Sequence, residues 1–118
     1  MRCSVCLVKT RQEAVLAPVA AFQARYHVPI YVGEFSVVRW APPGSGARWL
    51  QDAVDLFEAR HWSWTYHAFR EWNGWSLEHD GEFWMNGMEP PPEAAKETDR
   101  AKVIRGALGR NPAPNARP

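Results

Sequence analysis

The 118-residue sequence has little net charge and no long apolar run, and both shortages bear on what it binds. Its formal net charge of +1 gives no argument for binding nucleic acid or an anionic membrane surface. No stretch of eighteen apolar residues is present, so we predict no transmembrane helix. The apolar stretch at the N-terminus is too short for a convincing signal peptide, so the sequence assigns no localisation.

Cysteine is scarce, with only Cys3 and Cys6, which form a Cys-x-x-Cys pair near the N-terminus. A metal site would need more ligands nearby, and a redox motif would need its characteristic strand and helix around the pair. We therefore interpret the two cysteines as incidental, and we predict no metal site and no cofactor.

Aromatic residues are abundant, with seven tryptophans in a chain that is 46% hydrophobic. This composition excludes a disordered chain, and the length predicts one domain. Tryptophan enrichment is common where proteins bind carbohydrate. The simpler interpretation is that most of these side chains lie in the core, because large aromatic residues dominate core burial.

The pattern of apolar and helix-breaking residues predicts alternating helices and strands, which favours a parallel α/β architecture. We expect Pro18 to interrupt the first helix, either as a kink or as a new first turn, and Ser45 to cap the second. The segment 70–92 lacks periodicity, and long loops of this kind are usually functional or mobile. The predicted helices are 11–26, 46–60 and 93–108, and the predicted strands are 27–35 and 62–69.

The most informative stretch is 29–40, where a short apolar strand meets a carboxylate. Ile30-Tyr31-Val32 is followed by Gly33 and Glu34, and Trp40 lies six residues farther on. In α/β barrels, a charged residue at the carboxyl end of a strand is typical of a catalytic group. An aromatic side chain close to such a group can face a sugar ring.

Two strings in the sequence resemble the C-terminal part of a glycoside hydrolase family 5 domain, the cellulase family. They are Val-Gly-Glu-Phe-Ser at 32–36 and Trp-Thr-Tyr-His-Ala-Phe-Arg-Glu-Trp-Asn-Gly-Trp-Ser at 64–76. The resemblance implies an α/β fold in which residues 11–111 form about the last two β/α units of a (β/α)8 TIM barrel. A complete barrel needs roughly 250 residues, so the barrel is incomplete in this chain. A missing N-terminal part of the barrel is therefore an expected partner.

The resemblance also implies a function, which is retaining hydrolysis of O-glycosyl bonds in a β-linked polysaccharide by a cellulase-like endo-β-glucanase. Glu34 would be the nucleophile, at the end of the seventh barrel strand. Retaining glycosidases use two carboxyl groups, one of which attacks the anomeric carbon while the other protonates the leaving oxygen. Arg39 or a tyrosine is expected to help keep Glu34 ionised.

Four further side chains are predicted to bind the sugar. The eighth strand of the family usually ends in a tryptophan that forms the floor of the sugar site, and Trp64 is our first choice for that position, with His67 second. Trp40 and Trp72 are expected to stack on pyranose rings. The resemblance does not identify the glycan.

One catalytic group of the family is absent from the sequence. The acid/base of the family is a Glu in an Asn-Glu-Pro type motif, and this chain has no Asn-Glu dipeptide. Glu71 and Glu78 do not match that motif. General acid–base help is worth about 10²–10⁴-fold in rate, so we predict that the chain alone is inactive.

The ends of the chain fall outside the resemblance. Residues 1–10 form an atypical N-terminal segment, and the polar, Pro-rich residues 112–118 are predicted to be a disordered tail. Full-length members of the family are typically secreted.

Two alternatives remain open. A non-catalytic, Trp-rich carbohydrate-binding protein agrees with the tryptophan content and the missing acid, although such modules are usually all-β sandwiches. The other alternative is a small α/β interaction domain in which Glu34 has a structural role.

Overall fold

The structure, a computed structural model, describes residues 4–68, 71–80 and 97–111. These residues form three α-helices, two strands and one 3-10 turn, in the alternating order that the sequence predicts. The predicted tail 112–118 and most of the irregular segment 70–92 lie outside the described residues. The helices are α1 (Ser4–Tyr26), α2 (Ser45–Glu58) and α3 (Asp99–Leu108), the strands are β1 (Tyr31–Phe35) and β2 (Ser63–Tyr66), and the 3-10 turn is Asn73–Trp75.

Strands β1 and β2 pair in parallel, with α2 as the connection between them, as the alternation predicts. Val32 lies opposite Trp64, and Phe35 lies opposite Tyr66. Between these two pairs β1 has two residues where β2 has only Thr65, so the pairing is irregular at Gly33 and Glu34. An extra residue of this kind forms a β-bulge, which bends the strand and redirects its side chains. The position of this sheet within a barrel stays a prediction.

The hydrophobic core lies on one face of the sheet, between the strands and helices α2 and α3. Helix α2 buries Leu50, Ala53, Val54 and Phe57. Their spacing of three and four residues places them on one stripe of the helix. Phe35 meets this stripe from β1, and its ring centroid lies 5.2 Å from that of Phe57. The remaining buried apolar residues of this cluster are Trp62, Ile104 and Ala107.

The start of α2 differs from the prediction. Ser45 does not cap the helix, because the N-cap residue is Gly44, with a φ of 72° and no side-chain cap. That left-handed conformation favours glycine, since a Cβ atom would be strained there. The Ser45 hydroxyl instead donates a hydrogen bond of 2.6 Å to the carbonyl oxygen of Pro42.

The start of α3 has a side-chain cap that the sequence analysis missed. The hydroxyl oxygen of Thr98 accepts a hydrogen bond of 3.0 Å from the backbone nitrogen of Ala101. An N-cap threonine usually accepts a bond of this kind, and the bond satisfies a backbone N–H that the helix itself leaves unpaired. The helix therefore begins at Asp99, and the predicted start at residue 93 is too early, because Glu97 and Thr98 are not helical.

Helix α1 is longer than predicted and continues through Pro18, so no new helix starts there, while a kink at Pro18 stays a prediction. Its contacts include a hydrogen bond of 3.1 Å from Gln12 Nε2 to the carbonyl oxygen of Trp49, and one of 2.6 Å from Trp62 Nε1 to Gln23 Oε1. These bonds attach the helix to α2 and to the start of β2. None of the helices in the described parts of the chain is long and apolar enough to cross a membrane.

The face of the sheet opposite α2 and α3 is open among the described residues. Tyr31 is 64% exposed there, and its hydroxyl lies 2.5 Å from the Thr65 hydroxyl. Beside β1 an apolar groove of about 430 Å³ runs between α1, β1 and α2, and we call it the β1 groove. Parallel sheets are normally covered on both faces, so this sheet leaves surface that a neighbouring polypeptide could cover.

An exposed strand with apolar surroundings promotes association, and charged side chains on such a strand oppose it. We therefore expect the chain to self-associate in sedimentation velocity, and Tyr31→Lys to shift the distribution toward monomer. Tyr26→Lys is the matched control, because Tyr26 is also exposed but lies on α1. A monodisperse wild-type monomer with a sharp thermal transition would contradict this expectation.

Candidate functional site

The carboxyl ends of β1 and β2 meet at one edge of the sheet, because the strands are parallel. The backbone nitrogen of His67, just past β2, donates a hydrogen bond of 3.0 Å to the carbonyl oxygen of Phe35. Glu34 is the residue before Phe35, so this bond brings the backbone of Glu34 and His67 to the same end of the sheet. Glu34 is exposed at the bulge and borders the β1 groove.

Four rings form a connected group at this end, which we call the aromatic cluster: His67, Trp75, Trp72 and Trp40. The centroids of His67 and Trp75 are 4.8 Å apart, those of Trp72 and Trp75 are 4.7 Å apart, and those of Trp40 and Trp72 are 5.8 Å apart. Each pair meets edge to face, which is a favoured arrangement for aromatic rings. The cluster unites three residues predicted to bind sugar and adds Trp75.

The 3-10 turn holds two of these indoles together. The backbone nitrogen of Trp75 donates a hydrogen bond of 3.2 Å to the carbonyl oxygen of Trp72, the N-cap residue of the turn, and this bond keeps the two indoles in contact. A Cβ atom at Gly74 would overlap the indole of Trp72, so any other residue there would displace that ring. The spacing of the two tryptophans around Asn73-Gly74 is the signal in the sequence that could have identified Trp75.

Two hydrogen bonds attach the turn to the rest of the protein. The backbone nitrogen of Arg39 donates to the carbonyl oxygen of Gly74 at 2.8 Å, and the Tyr66 hydroxyl donates to that of Trp75 at 2.7 Å. The first bond fixes the loop after β1, which carries Trp40, against the turn. The second anchors the turn to the last residue of β2.

His67 also lies close to the carboxylate of Glu71, four residues farther along the chain. Its Nε2 atom lies 3.2 Å from Oε2 of Glu71. The pair is partly exposed, so it contributes little to stability, but it orients the imidazole beside Trp75. The peptide bond between His67 and Ala68 is cis.

Trp64 lies outside the aromatic cluster. Its ring packs edge to face on Phe35 at 5.5 Å, and its Nε1 donates a hydrogen bond of 2.9 Å to Oε1 of Glu58 in α2. Trp64 is therefore half-buried on the side of the sheet that faces the helices. Which of Trp64 and His67 forms the floor of the sugar site stays a prediction.

Arg39 is 4% exposed and is held toward α3. Its Nη1 donates a hydrogen bond of 3.1 Å to the carbonyl oxygen of Asp80. Burial and the positive charge of Arg100 lower the pKa of Arg39, while Asp80 partly offsets the effect. The expected help from Arg39 to Glu34 stays a prediction.

Arg100 is a second buried arginine, and the sequence analysis did not identify it. Its guanidinium donates to the carbonyl oxygens of Ser76, at 2.7 Å, and His79, and it lies 3.2 Å from Oδ1 of Asp80. These bonds fix the segment after the 3-10 turn against α3. No local pattern in the sequence signals them, because Ser76 is 24 residues away.

In the portion of the chain that the structure describes, no group of three or more His, Cys, Asp or Glu side chains could hold a metal ion. Cys3 and the side chain of Cys6 lie outside that portion. A scan against protein-family models and a search of curated proteins both return no match for this sequence.

The hydrogen bond from the Tyr66 hydroxyl to the carbonyl oxygen of Trp75 can be tested by titration. Burial raises the pKa of Tyr66 above its ordinary value of about 10, so we expect one of the three tyrosines to ionise late in an absorbance titration. The stabilisation linked to the neutral phenol is present below pH 10 and is lost as the pH rises through the elevated pKa. Tyr66→Phe should remove the late component and cost about 1 kcal/mol by breaking the bond to Trp75.

Tyr26→Phe is the control for this titration, and it should leave the late component in place, because Tyr26 is exposed on α1. A Tyr66→Phe variant that retains the late component would contradict the assignment.

Proposed function

We propose that this chain is the nucleophile-bearing C-terminal part of a retaining β-glycosidase related to glycoside hydrolase family 5, with Glu34 as the nucleophile. One observation supports it above the others: Glu34 and the aromatic cluster lie at the same end of two adjacent parallel strands. Barrel enzymes built from β/α units place their active sites at the carboxyl ends of the strands.

The side chains at this end suit the binding of a pyranose. An indole presents a flat apolar surface that matches the C–H face of a sugar ring, and Trp72 is the exposed tryptophan of the cluster. The imidazole of His67 adds a polar edge that can hydrogen-bond a sugar hydroxyl. We assign His67, and not Trp64, to the floor of the sugar site.

Glu34 supplies one half of the retaining reaction. Its carboxylate attacks the anomeric carbon, the bond from that carbon to the leaving oxygen breaks, and a glycosyl ester forms on Glu34. A second carboxylic acid must protonate the leaving oxygen and later activate water. Glu71 pairs with His67 and does not match the acid of the family. We propose that the acid belongs to the missing N-terminal part of the barrel, so this chain alone does not hydrolyse polysaccharide.

If the chain carries the nucleophile but not the acid, we expect only the first step of the reaction, the attack by Glu34. A dinitrophenyl β-cellobioside carries a leaving group that needs no protonation, so attack by Glu34 can proceed without the acid. We expect release of about one equivalent of dinitrophenolate and a stable glycosyl adduct, because general base catalysis is needed to hydrolyse the ester. Mass spectrometry should locate the adduct on Glu34.

Glu34→Gln should abolish both the release and the adduct, whereas Glu13→Gln, at an exposed carboxylate on α1, is the matched control and should keep both. No adduct in the wild type, or an adduct on another residue, would remove Glu34 from its proposed role. Continuous turnover that depends on Glu34 would show instead that the acid is not missing.

The aromatic cluster also favours a second candidate, a non-catalytic carbohydrate-binding protein, because ring stacking needs no acid. Binding to insoluble cellulose separates the two candidates. We expect most of the chain to remain in the supernatant, since a barrel fragment lacks much of the wall around its cleft. Retention that is unchanged in Glu34→Gln and lost in Trp72→Ala would support the second candidate.

A further inference from the structure

A cavity of about 590 Å³ lies beside the aromatic cluster, and we call it the loop cavity. Its walls are the loop after β1 and the first turns of α2 and α3. This volume is within the range of small-molecule sites, which combine apolar walls with a few polar groups. The residues that matter for its chemistry are Arg39, Trp40, Pro43, Asp80, Asp99 and Arg100.

The walls of the loop cavity are fixed by contacts already present in the protein. A Cβ atom at Gly46 would lie 3.3 Å from Cδ of Arg100, so the first turn of α2 approaches α3 closely. Arg100 in turn holds Asp80 at 3.2 Å. A ligand would therefore meet a surface that is already formed, which lowers the entropic cost of binding.

Among the described residues, the charged side chains that line the loop cavity balance. Two guanidinium groups, from Arg39 and Arg100, face two carboxylates, from Asp80 and Asp99. The carboxylates keep 62% and 70% of their side-chain surface exposed, so they can accept hydrogen bonds from a ligand. A balanced set of planar polar groups beside an indole favours a neutral ligand with several hydroxyl groups over an ion.

Trp40 connects the loop cavity to the aromatic cluster. Its ring contacts Trp72 at a centroid distance of 5.8 Å, and the same residue lines the loop cavity. A chain of sugar units that rests on the cluster would therefore reach the cavity without leaving the protein surface.

We propose that the loop cavity is a second subsite, which binds a neutral pyranose unit of the β-linked oligosaccharide whose neighbouring units lie on the aromatic cluster. This inference rests on the proposed carbohydrate binding, and it adds the direction in which the bound glycan extends from the aromatic cluster. The carboxylates of Asp80 and Asp99 accept hydrogen bonds from adjacent sugar hydroxyls, and Trp40 supports the ring.

Length-dependent binding tests this subsite by calorimetry on the whole chain. Cellotetraose should bind about tenfold more tightly than cellobiose, as expected for one added ring contact with its hydrogen bonds. Ala47→Phe, which places a ring in the loop cavity, should abolish that gain and leave cellobiose affinity unchanged. Ala24→Phe, on the exposed side of α1, is the matched control and should keep the gain.

Asp99→Asn provides a second test that does not depend on filling the cavity. Asp99→Asn should reduce the gain in affinity for cellotetraose over cellobiose, whereas Lys102→Gln should preserve that gain. Either change breaks the 3.0 Å ion pair between Asp99 and Lys102. Equal affinity for the two sugars in the wild type, or a gain that survives Ala47→Phe, would overturn the subsite while leaving the aromatic cluster as a binding site. No binding of either sugar would overturn the proposed function and the subsite together.

Discussion

The packing of Phe35 is the interaction on which both the core and the candidate site depend. Its ring meets Phe57, Trp64 and Tyr66 edge to face, at centroid distances of 5.2, 5.5 and 5.8 Å. Its carbonyl oxygen accepts the hydrogen bond from His67 that closes the end of the sheet. Phe35 thus joins helix α2 to both strands. Because Phe35 directly follows Glu34 in the chain, its bond to His67 also brings His67 close to the backbone of Glu34.

The same packing explains why Glu34 remains exposed. Phe35 belongs to the core and Val32 packs against it. Between these two residues, Gly33 and Glu34 of β1 lie opposite a single residue of β2, Thr65. Strand residues normally alternate between faces, so two core-facing positions three residues apart require a bulge. The bulge leaves the carboxylate of Glu34 at the surface, while Phe35 stays buried.

Local patterns in the sequence predicted the elements well where the signal was periodic. The spacing of Leu50, Ala53, Val54 and Phe57 identified α2, and the apolar run before Gly33 identified β1. Capping was less predictable, because the conformation of Gly44 depends on how the loop returns to the helix. The serine beside it looked like the better cap from composition alone.

The candidate site was only partly predictable, because its geometry depends on contacts between distant residues. The bond between the backbone of Arg39 and Gly74 joins positions far apart in the chain, and no sequence pattern signals it. Trp64 illustrates the same limit. Its position in a strand with a tryptophan-rich motif suggested the sugar site, whereas its bond to Glu58 turns it toward the helices.

We propose that sugar binds at the carboxyl end of the sheet, and the seven tryptophan side chains report directly on such binding. Their indole N–H signals can be followed by NMR as cellotetraose is added. We expect the signals of Trp40, Trp72 and Trp75 to shift. Those of Trp62 and Trp64, which donate to Gln23 and Glu58 on the helix side, should stay in place. Shifts confined to Trp62 and Trp64, or no shifts at all, would contradict this proposal.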